Sequence, residues 1–323
     1  MDHRKSIEGM TKSSILAHDV RKMDLPEKIV IIGTGPVGSW LGHELLSVGK
    51  QIAFVDENPD THEHRWTIEV DDITSTHAVT VDRSLLAAAR VIFVATRAHQ
   101  LFAVWQDHLA VLPLALQPTQ RQTIIFCCNG YVEPIINTWQ ATRPDIHFQI
   151  GIVTAGIAEK NGRNFLRTDR TGKCFYGPLS ENAEPNKYSP EFIYDPDIRE
   201  RARKKWLFNT AANTLAGVLQ LPRNDLMIHA YRNRLRELFD EAFDLGCELW
   251  DGWRQKTQEN PGHRETLWLE LCQLITDTGA NENSLSRAAR IGKGTGEAQF
   301  LGGVAFGHIG YPELKRMTRL LLP

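Results

Sequence analysis

Long apolar runs are missing from this sequence: no stretch approaches the roughly 20 residues that a membrane-spanning helix requires. An excess of either charge is missing too. Thirty-seven basic residues stand against 39 acidic ones, a formal net charge of -2. That balance gives no bulk attraction to nucleic acid or to an anionic membrane. Cysteine is scarce and odd in number: Cys127, Cys128, Cys174, Cys247 and Cys272. Only the first two are close, and no C-x2-C spacing occurs, so neither a zinc site nor a disulfide framework is expected. Reduced thiols and a cytoplasmic location fit this usage. His62 and His64 form an H-x-H in a polar stretch with no third ligand, so no metal is expected. Internal repeats and low-complexity tracts are lacking as well. Residues 1–25 mix both charges without the apolar core of a secretion signal, and read as an N-terminal extension.

What is present suits an ordinary globular protein. Of 323 residues, 42% are hydrophobic, enough for two cores at roughly 100–200 residues per domain. Lys28 to Ile32 is a β-branched run that ends in glycine, the mark of a buried parallel strand. Residues 36–49 carry Val37, Leu41, Leu45, Leu46 and Val48 at helical spacing. Buried strands follow at Gln51–Val55, Val91–Ala95, Thr123–Cys127 and Phe148–Val153. A hairpin is expected from Trp66–Val70 and His77–Val81, with Asp71–Thr76 as its loop. His99–Leu112 reads as a helix. Alternating strands and helices predict an α/β fold with a doubly wound, Rossmann-type parallel sheet. The polar, proline-containing stretch at 179–190 is the best linker candidate. Beyond it strand signals stop, and residues 197–220, 226–256, 264–277 and 296–309 read as helices. The expected organisation is therefore an extension (1–25), a dinucleotide-binding domain (26–188) and an all-α domain (189–323).

The first chemical motif is Gly33-Thr34-Gly35-Pro36-Val37-Gly38, a G-x-G-x-x-G between a strand and a helix. The first glycine permits a tight turn, the second lets backbone approach a pyrophosphate, and the third lets helix and strand pack closely. Asp56, at the end of the next strand, lies 23 positions beyond Gly33, near the expected spacing of about 20. Its carboxylate can accept ribose hydroxyls and repels a 2′-phosphate, which favours NAD(H). Arg65 or Arg97 could meet a phosphate and leave NADP(H) open.

The second constellation is Lys205, Asn209 and Asn213, spaced i, i+4, i+8 along one helix face. Asparagine is a poor helix former, so two on one face suggest a task. A lysine heading such a row can donate a proton to a substrate oxygen. The bland alternative is a solvated face, because Arg199, Arg201, Arg203, Lys204 and Lys205 form a basic run.

With these residues in view, the sequence from about Glu27 onward resembles the ketopantoate reductases (2-dehydropantoate 2-reductases). The resemblance implies a Rossmann domain followed by an all-α domain with 6-phosphogluconate-dehydrogenase-like helices, and substrate in the cleft between them. It implies that Lys205 is the general acid of ketone reduction, and that Asn209 and Asn213 hold the substrate. Val94 to Gln100, with Arg97, resembles a segment that lies along the cofactor. Cys128-Asn129-Gly130 resembles the family's H-N-G, whose asparagine, here Asn129, faces cofactor and substrate. Asn281 and Ser284 match substrate-binding positions, with Ser284 on the carboxylate. Glu297 matches a residue at the cofactor and substrate hydroxyl that also sets the state of Lys205. Departures accompany the match. Arg97 stands where the family has lysine, Gly296 splits a T-E pair, and Asp56 stands where most members carry a basic residue.

The implied activity is NAD(P)H-dependent reduction of ketopantoate to pantoate, a step of pantothenate biosynthesis. Rival readings are a reductase of another branched 2-oxo acid or an opine, and a non-catalytic NAD(H) sensor. The proton-donor constellation weighs against the sensor. The implied partner is a small-molecule 2-oxo acid, with no nucleic acid and no membrane. Trp250, Trp253 and Trp268 can line a core or a homodimer contact, and the core is preferred.

Overall fold

The computed structural model describes residues 28–56, 61–114, 121–168, 171–179, 187–278, 283–290 and 296–322. The N-terminal extension lies outside them. In chain order the strands are β1 (Ile29–Ile32), β2 (Ile52–Val55), β3 (Glu63–Val70), β4 (Ile73–Thr80), β5 (Val91–Val94), β6 (Thr123–Phe126) and β7 (His147–Val153). They continue with β8 (Ile157–Asn161), β9 (Asn164–Arg167), β10 (Cys174–Pro178) and β11 (Phe192–Tyr194). The helices of the sheet half are α1 (Pro36–Ser47), α2 (Leu101–Val104) and α3 (Glu133–Thr142). The helical half holds α4 (Ile198–Phe208), α5 (Thr214–Leu219), α6 (His229–Leu249), α7 (Asp251–Glu259) and α8 (His263–Thr278), then α9 (Ser284–Arg290), α10 (Gly296–Phe300) and α11 (Pro312–Arg319).

The main sheet has the order β11-β10-β7-β6-β5-β1-β2. From β7 to β2 every pairing is parallel. The run of apolar residues in each strand has a direct cause. Alternate side chains point to opposite faces, and both faces are covered. Val30, Ile92 and Ile124 join one core, while Ile31, Phe93 and Ile125 join the other. The parallel expectation needs one correction: β10 runs antiparallel to β7. A second correction concerns the linker, because β11 lies past it and pairs with β10. Three residues are too short a run to announce a strand.

A smaller sheet, β4-β3-β9-β8, packs beside α1. Its β3–β4 hairpin is longer than expected, with a two-residue turn at Asp71 and Asp72 in place of a six-residue loop. Both have positive φ, 49° and 65°, the backbone sense that matches the twist of paired strands. Within α1, Leu41 and Leu45 are fully buried as the spacing predicts, whereas Val48, just past its end, is exposed. His62 is exposed. His64 is fully buried, and its Nε2 lies 3.1 Å from the Ser39 hydroxyl.

The helical half has its own core. Leu235, Leu238, Phe239, Ala242, Phe243 and Leu245 give α6 one apolar stripe. Trp250, Trp253 and Trp268 belong to that core. The single helix expected over 226–256 is broken at Trp250, whose extended backbone starts α7 in a new direction. Among the described residues no helix is long and apolar enough to cross a membrane.

Candidate active site

The strand order reverses at β1, which lies between β5 and β2. Crevices for ligands form at such points, outside the C-terminal strand ends. Gly33 follows β1, Thr96 follows β5 and Asn129 follows β6, so all three lie on that rim. Gly33 has φ 109°, and a Cβ there would stand 2.9 Å from the Ala95 carbonyl oxygen. A Cβ on Gly38 would collide with the Gly33 carbonyl oxygen. A Cβ on Gly35 would meet nothing within 4 Å. The turn is therefore closed on its inner side and open outward, where a pyrophosphate could approach the amides of α1. Pro36 begins that helix, and no side chain caps it. Val37 follows in the first turn. Thr34 donates from its hydroxyl to Asp56 Oδ2 at 2.8 Å, which holds the carboxylate at the lip. Arg65 is engaged by Glu63 at 2.5 Å. Arg97 is exposed at the rim, and its amide donates to Gln100 Oε1 at 3.0 Å.

The helical half reaches this rim through α4 and α10. A π segment, Asn209–Asn213, joins α4 to α5. Such wide turns recur at functional sites because they re-aim the side chains around them. Lys205 lies just before it. Its Nζ donates to the Val153 carbonyl, at the C-terminal end of β7, at 2.7 Å. The ammonium therefore turns toward the sheet and not into bulk solvent. Burial lowers its pKa from 10.5 to about 8, Glu297 opposes that shift, and Arg223 adds to it. A lysine so tuned remains charged at neutral pH and gives up its proton readily.

Glu297 reaches the same place from α10 and is 6% exposed. Its Oε1 accepts from Asn129 Nδ2 at 3.3 Å. This contact has a backbone foundation. The Phe300 carbonyl, one turn after Glu297, accepts from the Tyr131 amide at 2.7 Å and from the Trp206 indole at 3.3 Å. Gly130 permits that approach, with φ 110° and a virtual Cβ 2.6 Å from Phe300 Cβ. Gly296 also has a reason: a Cβ there would lie 2.6 Å from His99 Cγ. The residue that interrupts the T-E pair is thus a docking point between the two halves.

Asn209 and Asn213 are buried. Asn209 lines a cleft together with Cys128, Asn129, Lys205, Trp206 and Trp250. Asn213 Oδ1 instead accepts two bonds from Arg223, from Nε at 3.1 Å and Nη2 at 2.8 Å. Asn281 lies outside the described residues. Ser284 begins α9, and nothing is described of its side chain. The sequence reading missed Arg223. Its only signal was position, three residues past the helix stop at Gln220 and directly after Pro222.

Residues 29–181, a little under half of the chain, match the family model of ketopantoate reductase PanE/ApbA. Among curated proteins no sequence match is found. Solved structures share the fold along almost the whole chain. PanE of Bacillus subtilis, described as a probable 2-dehydropantoate 2-reductase, superposes with a TM-score of 0.71 at 19% identity, over 91% of this chain and 98% of its own. The dimeric ketopantoate reductase of Staphylococcus aureus gives 0.68 at 16% identity, over 91% and 97%. D-mandelate dehydrogenase with NADH and anilino(oxo)acetate gives 0.69 at 14% identity, over 91% and 97%.

Proposed function

We propose, from the match of residues 29–181 to the family model of ketopantoate reductase, that the protein reduces a 2-oxo acid to a 2-hydroxy acid with NAD(P)H. The family and the reductases that share its fold are oxidoreductases acting on CH–OH groups. The observation that carries the reading is the meeting of Lys205, Glu297 and Asn129 at the C-terminal rim of the sheet.

The turn at Gly33–Gly38 fits a dinucleotide, with Asp56 and Thr34 at the ribose side. When bound, the dihydronicotinamide supplies a hydride. Lys205 carries the proton and donates it from Nζ to the ketone oxygen as that oxygen gains negative charge. In doing so it leaves the Val153 carbonyl, which holds the ammonium in place beforehand. Glu297 favours the charged lysine and anchors Asn129 on the opposite wall. Asn209, fixed at the edge of the π segment, orients the substrate. Packing of α10 against Gly130 and His99 excludes water and fixes the distance between the halves.

The best-supported substrate is 2-dehydropantoate, giving pantoate. A second reading, a bulkier apolar 2-oxo acid, is favoured by the aromatic wall of Tyr131, Trp206 and Trp250. Asp56 favours NADH as the cofactor. Turnover of ketopantoate and of a panel of aliphatic and aromatic 2-oxo acids, with NADH and NADPH side by side, decides among these. Tight NADH binding with no oxidation by any of them would leave the sensor reading in its place.

A further inference from the structure

The cluster around Lys205 is unbalanced. Among the described residues two cations, Lys205 and Arg223, stand against one carboxylate, Glu297. The nearby thiols of Cys127 and Cys128 do not redress this, because burial and their neighbours hold both pKa values above the usual range and leave them neutral. Arg203, on the same helix as Lys205, is already matched by Glu133 at 3.4 Å. Among the described residues the cations therefore outnumber the carboxylates in a largely desolvated place, where an uncompensated charge is costly.

Arg223 is placed there by local structure. Helix α5 ends at Gln220 in the left-handed conformation, φ 55°. The Leu221 amide returns to the Ala216 carbonyl at 3.1 Å, and Pro222 prevents the helix from continuing. The chain doubles back, and Arg223 lies against the π segment. Both of its bonds go to one oxygen, Asn213 Oδ1, from Nε and Nη2. This clamps the plane of the guanidinium, and among the described residues no carboxylate is in hydrogen-bond contact with it. Glu297 is the negative group whose field it feels.

We propose that Arg223 is the substrate's carboxylate anchor, and that it selects a monoanionic 2-oxo acid by completing the charge balance of the site. The inference rests on the reductase reading and narrows its substrate class. One negative charge neutralises the cluster, whereas a neutral carbonyl compound leaves it unbalanced and a dicarboxylate overshoots. Arginine suits the task because its planar fork matches a carboxylate and keeps its charge at any working pH. Asn213 then serves as a positioning residue that holds the fork at a fixed angle.

The test uses oxamate, a non-reactive 2-oxo acid isostere, titrated calorimetrically into the full chain saturated with NADH. Arg223→Gln is expected to weaken oxamate at least about tenfold, and Arg223→Lys to weaken it less. Turnover of the methyl ester of the preferred 2-oxo acid should change little in either variant. In Arg223→Gln the basic limb of the pH profile should move upward, because Lys205 loses a neighbouring cation while Glu297 remains. Unchanged oxamate affinity, or equal damage to acid and ester, overturns the proposal. Arg223-dependent oxamate binding in a wild-type protein that reduces no 2-oxo acid would condemn the reductase reading and leave Arg223 as a carboxylate site.

Discussion

Around Gly33–Gly38 the cleft is walled by backbone, while around Lys205 it is walled by side chains drawn from distant parts of the chain. The first wall depends on what its residues lack. Three glycines leave room for a turn, a helix start and an incoming ligand within six positions. The second depends on what its residues carry. Lys205, Arg223, Glu297 and Asn129 come from four separate segments; Glu297 raises and Arg223 lowers the pKa of Lys205, and Asn129 donates to Glu297. A binding wall of amides tolerates many chemistries. A wall of mutually dependent charges commits to one.

The sharpest way to separate the two walls is to remove the amine. Lys205→Met should lower the rate of 2-oxo acid reduction by about a thousandfold, within the range that a positioned acid contributes. NADH affinity, measured by calorimetry, should stay within about twofold by the same independence of distant sites. Thermal stability should hold or rise, since burial already disfavours the ammonium. A variant that kept its rate would show that the charged wall is only structural.

The converse change strikes the backbone wall. In Gly38→Ala the new methyl meets the Gly33 carbonyl, which belongs to the turn itself and cannot swing away. The expected cost is about 1–3 kcal/mol of stability, read from urea unfolding, with NADH affinity falling about tenfold for a shift of some 1.4 kcal/mol. If affinity survived intact, the turn would not be the cofactor wall.

These two walls also differed in how readable they were. The glycine turn is local: strand, turn and helix adjoin in sequence, so spacing was enough to find it. The five parallel strands were legible for the same reason, as buried β-branched runs. The cluster is not local. Lys205, Asn209 and Asn213 were singled out by their spacing along one helix face, but a solvated basic face explained them equally well until resemblance to a family gave them roles. Asn213 was read as a substrate ligand, yet Arg223 occupies its carbonyl oxygen. The π segment left no mark, because Asn-Thr-Ala-Ala-Asn has no sequence feature that widens a helical turn. Gly296 looked like an insertion until His99 was found beneath it. Strands β8 to β11 are short, so pairing partners rather than propensity make them strands.

The pH profile tests whether the charges of the second wall act together. Reduction consumes the ammonium form of Lys205, and that form prevails below about pH 8. The rate should therefore be level near neutrality and fall about tenfold per pH unit above the pKa. Glu297→Gln removes the group that holds the pKa up, so its basic limb should begin at lower pH. A limb lying near 10.5 in both proteins would mean that Lys205 is not embedded in the cluster.

The smallest expected effect lies on the backbone wall, where one side chain adds selectivity to an otherwise permissive surface. Asp56 is held by Thr34 at 2.8 Å and presents its charge where the ribose of a bound dinucleotide would lie. Asn in its place keeps an oxygen for Thr34 and removes the negative charge. Repulsion of a 2′-phosphate should then relax, and the ratio of NADH to NADPH efficiency should drop about tenfold, some 1.4 kcal/mol. The maximal rate with saturating cofactor should stay unchanged, because Asp56 and Lys205 belong to different walls. A wild-type protein that already favoured NADPH would assign the preference to some group other than Asp56, and Arg97, exposed at the same rim, would be the residue to replace next.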